Sequence, residues 1–406
     1  MRILWICPTL LHPTINGSQI RTLGILRHLS RKNEVHFVGT ARHGQTTEQK
    51  DEYCSLVYAF PHQPPQRGSP AFAVDALLNL FSPTPLYVAR YASRPASECV
   101  KRLLHENTYD AVVVDFLLSV PNLPAARLEN AILFQHNVEA RIMGRLAAET
   151  TSAPRRAYLS YMARRVEQYE RHACSRVRHV ITVSPADSAY IAEHYGVKDV
   201  TSIATGVNVR HFERPDGAIP DAPPSDLVFI GSMDYLPNVQ GVHWFVERVL
   251  PLIHASRPAA TVALVGKYPD STIQALAAKD SRIHVTGTVP DVRPYLWNAG
   301  VSIVPLLAGS GTRLKIYEAM AAGVPVISTS LGAEGLAYTD GTDIVLASDP
   351  EAFAAACLEL LEHRDRRDFI ASAGHTLVRS RFDWSVVAEE FQGILERAAQ
   401  NRAHVH

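Results

Sequence analysis

Val301 to Ile327 reads VSIVPLLAGSGTRLKIYEAMAAGVPVI, and this stretch decides the fold class. Val301–Val304 is a short apolar run rich in β-branched residues, the signature of a strand buried on both faces. It stops at Pro305. Small residues follow, Ala308-Gly309-Ser310-Gly311-Thr312, and a helix is predicted from Arg313 to Ala322, ended by Gly323 with Pro325 just beyond. Val324–Ser328 then resumes as a strand. Strands of this kind alternating with helices argue for a parallel sheet covered on both faces.

The same turn has chemical content. A Gly-rich turn entering a helix leaves backbone N–H groups unpaired beside the positive end of the helix dipole, which suits an anion and phosphate above all. Here the amides are those of Gly311 and Thr312. Arg313 and Lys315 place two cations in the first turn, where the dipole alone disfavours them. A dianionic ligand would offset that repulsion. Glu318 lies three residues past Lys315 on the same face, where a carboxylate can accept from two neighbouring hydroxyls, as on a ribose. A helix with a Gly-rich entry and an exposed Lys–Glu pair fits the same local pattern, so local signals leave both readings open.

Outward from this stretch the pattern repeats. Ile3–Cys7, Val35–Val38, Ala111–Asp115, Ala131–Phe134 and Val180–Val183 are predicted strands, the last closing the first half, and Gln19–Leu29 is a predicted helix. Pro61–Pro70 reads as a loop. Arg214 to Ser225, RPDGAIPDAPPS, reads as a linker. Beyond it come strands at Leu227–Ile230, Thr261–Val265 and Ile283–Thr286, with a helix at Val242–Leu250. The expected architecture is α/β, two Rossmann-like doubly wound domains facing a central cleft, where ligands of open α/β sheets bind.

Composition narrows the class. The chain has 406 residues, 47% hydrophobic and 20% charged, ample apolar surface for folding. Lys plus Arg and Asp plus Glu are 40 each, which argues against a basic nucleic-acid binder. Five cysteines, with no Cys-x-x-Cys, form neither a disulfide framework nor a metal pair, and a reducing cytoplasm is the expected setting. No apolar run reaches the roughly 18 residues of a membrane helix. The apolar run after Met1-Arg2 halts at Pro8 and reads as a strand rather than a signal peptide.

The Val301–Ile327 segment resembles the donor-binding signature of retaining glycosyltransferases of the GT-B fold, family 4 in particular. Glu318-Ala319-Met320-Ala321 and Gly323-Val324-Pro325-Val326-Ile327 match the second half of that signature. Its first Glu, separated from Glu318 by seven residues, falls at Ser310. Phe229-Ile230-Gly231-Ser232-Met233 with Pro237-Asn238 resembles the first strand and loop of the donor domain, although Ser232 and Gln240 stand where many members carry Arg and Lys. Thr205-Gly206-Val207-Asn208 resembles the segment that crosses between domains, and Phe382-Asp383-Trp384 the start of a tail that packs back on the first domain.

The resemblance implies an N-terminal acceptor-side domain over 1–208, a nucleotide-sugar domain over 209–382 and a returning helix over 383–406. It implies donor contacts at Gly17, Val289, Ser310, Gly311, Thr312, Arg313, Leu314, Lys315 and Glu318, with Arg313 and Lys315 carrying diphosphate charge. His136, just after the Ala131–Phe134 strand, is expected to meet the transferred sugar, which places it with Arg313 and Lys315 among the catalytic candidates. Asn16, Arg21 and Asp115 are weaker acceptor-side candidates. No Asp-x-Asp pair occurs to hold a metal, and no cofactor is expected. The expected activity is transfer of a sugar from a UDP- or GDP-linked donor to a glycan, lipid-linked or small-molecule acceptor, with retention. An epimerase or phosphorylase on the same fold, or a non-catalytic nucleotide-sugar-binding partner, is the rival. Residues 155–178, with seven arginines and interleaved tyrosines, suggest contact with an anionic membrane, hence a place at its inner face; a solvated helix face is the alternative.

Overall fold

All named strands pair in parallel in this computed structural model, which describes residues 1–14, 16–66, 68–217, 222–308 and 313–403. The chain forms two units, Met1–Ala204 with Val387–His406, and Thr205–Val386. Each is built on its own sheet.

The first sheet has the order β3-β2-β1-β4-β5-β6-β7. Its strands are β1 (Arg2–Cys7), β2 (Glu34–Ala41), β3 (Leu56–Pro61), β4 (Ala111–Asp115), β5 (Ala131–Phe134), β6 (His179–Thr182) and β7 (Val200–Ser202). β4 and β5 are buried at every residue. Such strands must be apolar throughout, which is why they stand out in the sequence. β3 and β7 do not. They are the two edges, half-exposed, and β7 has three residues, so neither makes a continuous buried run. β6 is therefore not the last strand of this unit, as the sequence reading had it.

The second sheet has the order β10-β9-β8-β11-β12-β13. These are β8 (Ser225–Ile230), β9 (Val262–Val265), β10 (Ile283–Gly287), β11 (Ala299–Val304), β12 (Val326–Ser328) and the two-residue β13 (Val345–Leu346), which no periodicity announces. Phe229, Val301, Ile303 and Ile327 form its core with Phe245 and Phe353 from covering helices.

Both sheets reverse their strand order once at the centre. In the first, β1 lies between β2 and β4; in the second, β8 lies between β9 and β11. At such a reversal the two connections leave in opposite directions, and a crevice opens at the carboxyl ends of the strands.

The Pro-rich stretch 214–225 does not join the units. Its described residues belong to the second unit, whose first residue is Thr205. The boundary sits there because the entering and leaving chains are tied together. Val207 N donates to Phe382 O and Trp384 N donates to Val207 O, at 2.7 and 3.1 Å. Gly206 lies flat under Trp384, where a Cβ would come within 2.5 Å of the indole ring. The final helix, Trp384–Ala403, begins in the second unit and runs into the first, where Phe391 packs on Trp5 and Phe134.

Candidate functional site

In the second unit the reversal between β8 and β11 is occupied by a lysine. Lys315 is the second residue of the Leu314–Ala321 helix that follows β11. Its Nζ donates to Asn238 Oδ1 at 2.9 Å and lies 4.4 Å from the centroid of the Phe229 ring. Phe229 is in β8 and Asn238 in the helix after it. Asn238 is itself fixed, since its Nδ2 donates to Ser232 O at 2.8 Å. Gly231 makes the room. A Cβ there would stand 2.8 Å from both Lys315 Nζ and Asn238 Nδ2. Gly266, at the end of β9, allows a still closer approach, as its Cβ would lie 1.8 Å from Gly231 O.

This pocket perturbs its ionisable groups. Burial pulls the Lys315 ammonium down to about 7, with Arg313 adding to the effect and Glu318 opposing it. Burial also lifts the Glu318 carboxyl to about 7, opposed only by Lys315. The two groups attract without forming a close ion pair, and both keep an edge open to solvent. Arg313 is buried at the helix N-cap position. Leu314 begins the helix. Val289 lies half-buried in the loop after β10, at the same carboxyl end of the sheet. Ser310, Gly311 and Thr312, with Gly309, lie outside the described residues. A partly desolvated lysine whose neutral amine can take up a proton suits a ligand carrying concentrated negative charge.

In the first unit the reversal between β1 and β4 holds a buried polar chain. Asp115, the last residue of β4, accepts from Trp5 Nε1 at 2.9 Å and Thr22 Oγ1 at 2.7 Å through one oxygen. Its other oxygen meets His136 Nε2 at 2.6 Å. Arg21 Nη1 reaches His136 Nδ1 at 2.9 Å. A guanidinium can only donate, so Nδ1 accepts and the ring proton resides on Nε2, donated to Asp115. Burial holds the imidazole below its ordinary value, and it draws the Arg21 guanidinium down to about 10. The chain is buried throughout, with His136 2% and Asp115 1% exposed. Phe116, directly after Asp115, has φ 75, a conformation costly for a bulky residue, and its ring stands edge-on to His136.

Sequence reasoning named Arg21, Asp115 and His136 separately; the fold brings them into one network. It missed Trp5 and Thr22, because a strand-buried Trp and a helical Thr carry no local mark of a polar role. It also missed Asn238 as the partner of Lys315. Asn16 caps the Gly17–Leu29 helix, with Oδ1 accepting from Gln19 N at 3.0 Å, and Gly17 opens its first turn with no atom near its Cβ position. A second buried cluster was unforeseen. Glu170 accepts from Gln135 Nε2, Tyr195 Oη and the N–H groups of Glu139 and Ala140, closing the N-terminus of the Glu139–Glu149 helix. Burial lifts its carboxyl to about 7. Four hydrogen bonds and a helix terminus make this a structural carboxylate.

Among the described residues no helix is long and apolar enough to cross a membrane.

Residues 15–211 match the profile described as Glycosyltransferase Family 4, and residues 224–363 match Glycosyl transferases group 1. The chain is 26% identical over 319 residues to a phosphatidyl-myo-inositol mannosyltransferase of Mycolicibacterium smegmatis, covering 76% of this chain and 77% of that one. An uncharacterised 44.6 kDa protein of the Klebsiella pneumoniae cps region is 23% identical over 165 residues, 39% of this chain and 42% of that protein, so the chain matches less than half of that relative's length. Among solved structures, the sucrose-phosphate synthase of Thermosynechococcus elongatus superposes with a TM-score of 0.65 at 18% identity, covering 98% of both chains. Anabaena HepE in complex with UDP gives 0.64 at 14% identity, over 98% of this chain and 100% of that one. These likenesses show the fold. With the two profile matches lying one on each sheet, the chain belongs to the glycosyltransferases of the GT-B fold, family 4 over its first unit and group 1 over its second.

Proposed function

We propose that the protein transfers a hexose from a UDP- or GDP-linked donor to an acceptor hydroxyl with retention of anomeric configuration, using no metal. The observation that carries this reading is the Lys315–Asn238–Phe229 cluster at the strand reversal of the second sheet. Breaking the anomeric C–O bond leaves a full diphosphate. A lysine already placed by Asn238 meets that charge with no reorganisation at the moment it forms, which is preorganised electrostatic stabilisation. Arg313 and the N-terminus of the Leu314–Ala321 helix add to it. The mannosyltransferase relatives, one of them named as GDP-mannose-dependent, and the UDP-bound structural neighbour support a nucleotide-sugar donor. The phosphatidyl-myo-inositol acceptor in the relatives' names supports a lipid-linked acceptor.

Both His136 ring nitrogens are committed within the first unit, one to Arg21 and one to Asp115. His136, buried with both nitrogens engaged, is therefore assigned to holding Asp115 and Arg21 in place rather than to acting as a base. In this reading the acceptor proton passes to an oxygen of the departing diphosphate. The test is turnover of a nucleotide-sugar panel with and without acceptor. Transfer that needs acceptor supports the reading; a changed sugar released without acceptor overturns it. EDTA should leave turnover intact, and loss restored by magnesium or manganese would refute the metal-free step.

Glu318 is assigned to the ribose. No described residue donates to its carboxylate, and a ribose contact persists whether or not a sugar is attached. Glu318→Gln should weaken free nucleoside diphosphate and nucleotide-sugar alike, by roughly 10- to 150-fold, the range for a hydrogen bond to a charged group. Calorimetry in which only the nucleotide-sugar suffers would move Glu318 to the sugar instead. Ser310 is read as standing where the signature that this segment resembles has its first Glu, so Ser310→Glu should reorder donor sugars while leaving the free nucleotide untouched. An unchanged ranking would mean that position 310 does not face the sugar.

A further inference from the structure

We propose that the face of the first unit formed by the Pro70–Asn79 helix, its continuation to Phe81, and the N-terminal half of the Ala153–Arg176 helix docks on an anionic lipid surface. Val74, Leu77, Leu78 and Phe81 fall at i, i+3, i+4 and i+7, the spacing that places residues on one helix face. Such a stripe ordinarily turns to the core. Here it is 56%, 63%, 68% and 89% exposed. This is no loose end. Arg165 Nη1 donates to Asn79 Oδ1 at 3.0 Å, and its Nη2 donates to Ser82 O and Thr84 O. Tyr161 Oη donates to Leu80 O at 3.4 Å. The apolar stripe is pinned to the long helix with its side chains outward.

The fully exposed charge beside it on the long helix is positive. Residues 150–166 contain four arginines and no acid. Arg165 is the pin, while Arg155, Arg156 and Arg164 are exposed. Tyr158 and Tyr161 between them are 41% and 42% exposed. The nearest acids along that helix are spent: Glu167 pairs with Arg171 and Glu170 is buried. Within 70–84 the sole ionisable side chain is Asp75, which is half-buried. An apolar stripe beside exposed arginines and amphipathic tyrosines fits a leaflet whose headgroups are negative and whose acyl boundary accepts Phe and Leu. A second copy of the chain fits poorly, since an isologous contact would set arginines against arginines with no acids to meet them. The inference rests on this face alone and does not depend on the sugar-transfer reading.

The test is sedimentation of the full chain with vesicles of phosphatidylcholine alone and of phosphatidylcholine with phosphatidylglycerol. The protein should bind the anionic vesicles, and binding should weaken as salt is raised. Arg155→Gln/Arg156→Gln/Arg164→Gln should weaken it about 100-fold, from roughly fivefold per charge. Leu78→Ser/Phe81→Ser should weaken it at least tenfold while the melting temperature stays put, because both side chains already face solvent. Absence of binding to anionic vesicles overturns the proposal, as does binding that neither variant changes. A concentration-dependent dimer in light scattering, abolished by Leu78→Ser/Phe81→Ser, would also overturn it and assign the face to self-association.

Discussion

Asp115→Ala is expected to lower the melting transition of the first unit by roughly 6 to 20 °C. Three buried donors, Trp5 Nε1, Thr22 Oγ1 and His136 Nε2, lose their acceptor together. The Arg21 guanidinium, linked through His136, loses the anion that offsets its own burial. Breaking a buried charged network by removing one partner costs about 3–5 kcal/mol, and a domain of this size shifts by about 2–4 °C per kcal/mol. Asp115→Asn keeps the shape but turns an acceptor into a donor facing other donors, so it should fall between wild type and Ala. Differential scanning calorimetry decides this. A first-unit transition unchanged in Asp115→Ala would mean that these three donors do not share one carboxylate.

The affinity of a nucleoside diphosphate should fall as pH rises above about 7, by up to tenfold per unit. The ligand-free Lys315 ammonium titrates near 7 because it is desolvated. A diphosphate beside it restores its charge, so binding takes up a proton wherever the free amine is neutral. The sign follows from linkage: affinity is full below the ligand-free value and is lost between it and the higher value of the complex. Isothermal titration at pH 8 in two buffers of different ionisation enthalpy should report proton uptake approaching one. Lys315→Arg should abolish the uptake from this position, since arginine stays charged. Lys315→Ala should cost roughly 1.5–3 kcal/mol, the loss of a charge-assisted hydrogen bond, and leave Asn238 without its donor. Affinity that is flat from pH 7 to 9 in the wild type would separate Lys315 from the diphosphate.

Both predictions depend on residues the sequence could name but not connect. Lys315 was legible as a cation at a helix start, from the Gly-rich turn before it and the Gly323–Pro325 stop after it. Arg21, Asp115 and His136 were legible only as polar residues near strand ends. Asn238 meets Lys315 across 77 residues of chain, and Trp5 meets Asp115 across 110. Those distances close because β8 pairs with β11 and β1 with β4. The apolar stripe at 74, 77, 78 and 81 has the spacing of a core-facing helix, and no property of those residues announces that it faces outward.

The sequence by itself determined the alternation of buried strands and helices, hence two parallel sheets, and the cationic helix start at Arg313 and Lys315. These follow from side-chain periodicity and turn chemistry, which act between residues a few positions apart. The tertiary structure alone decided the strand order, the edge strands β3, β7 and β13, the Asp115 and Lys315 networks, and which face of the Pro70–Asn79 helix meets solvent. Each of these depends on which distant segments share a low-dielectric interior, where pairing of polar groups becomes obligatory and ordinary ionisation is displaced, and no local pattern carries that information.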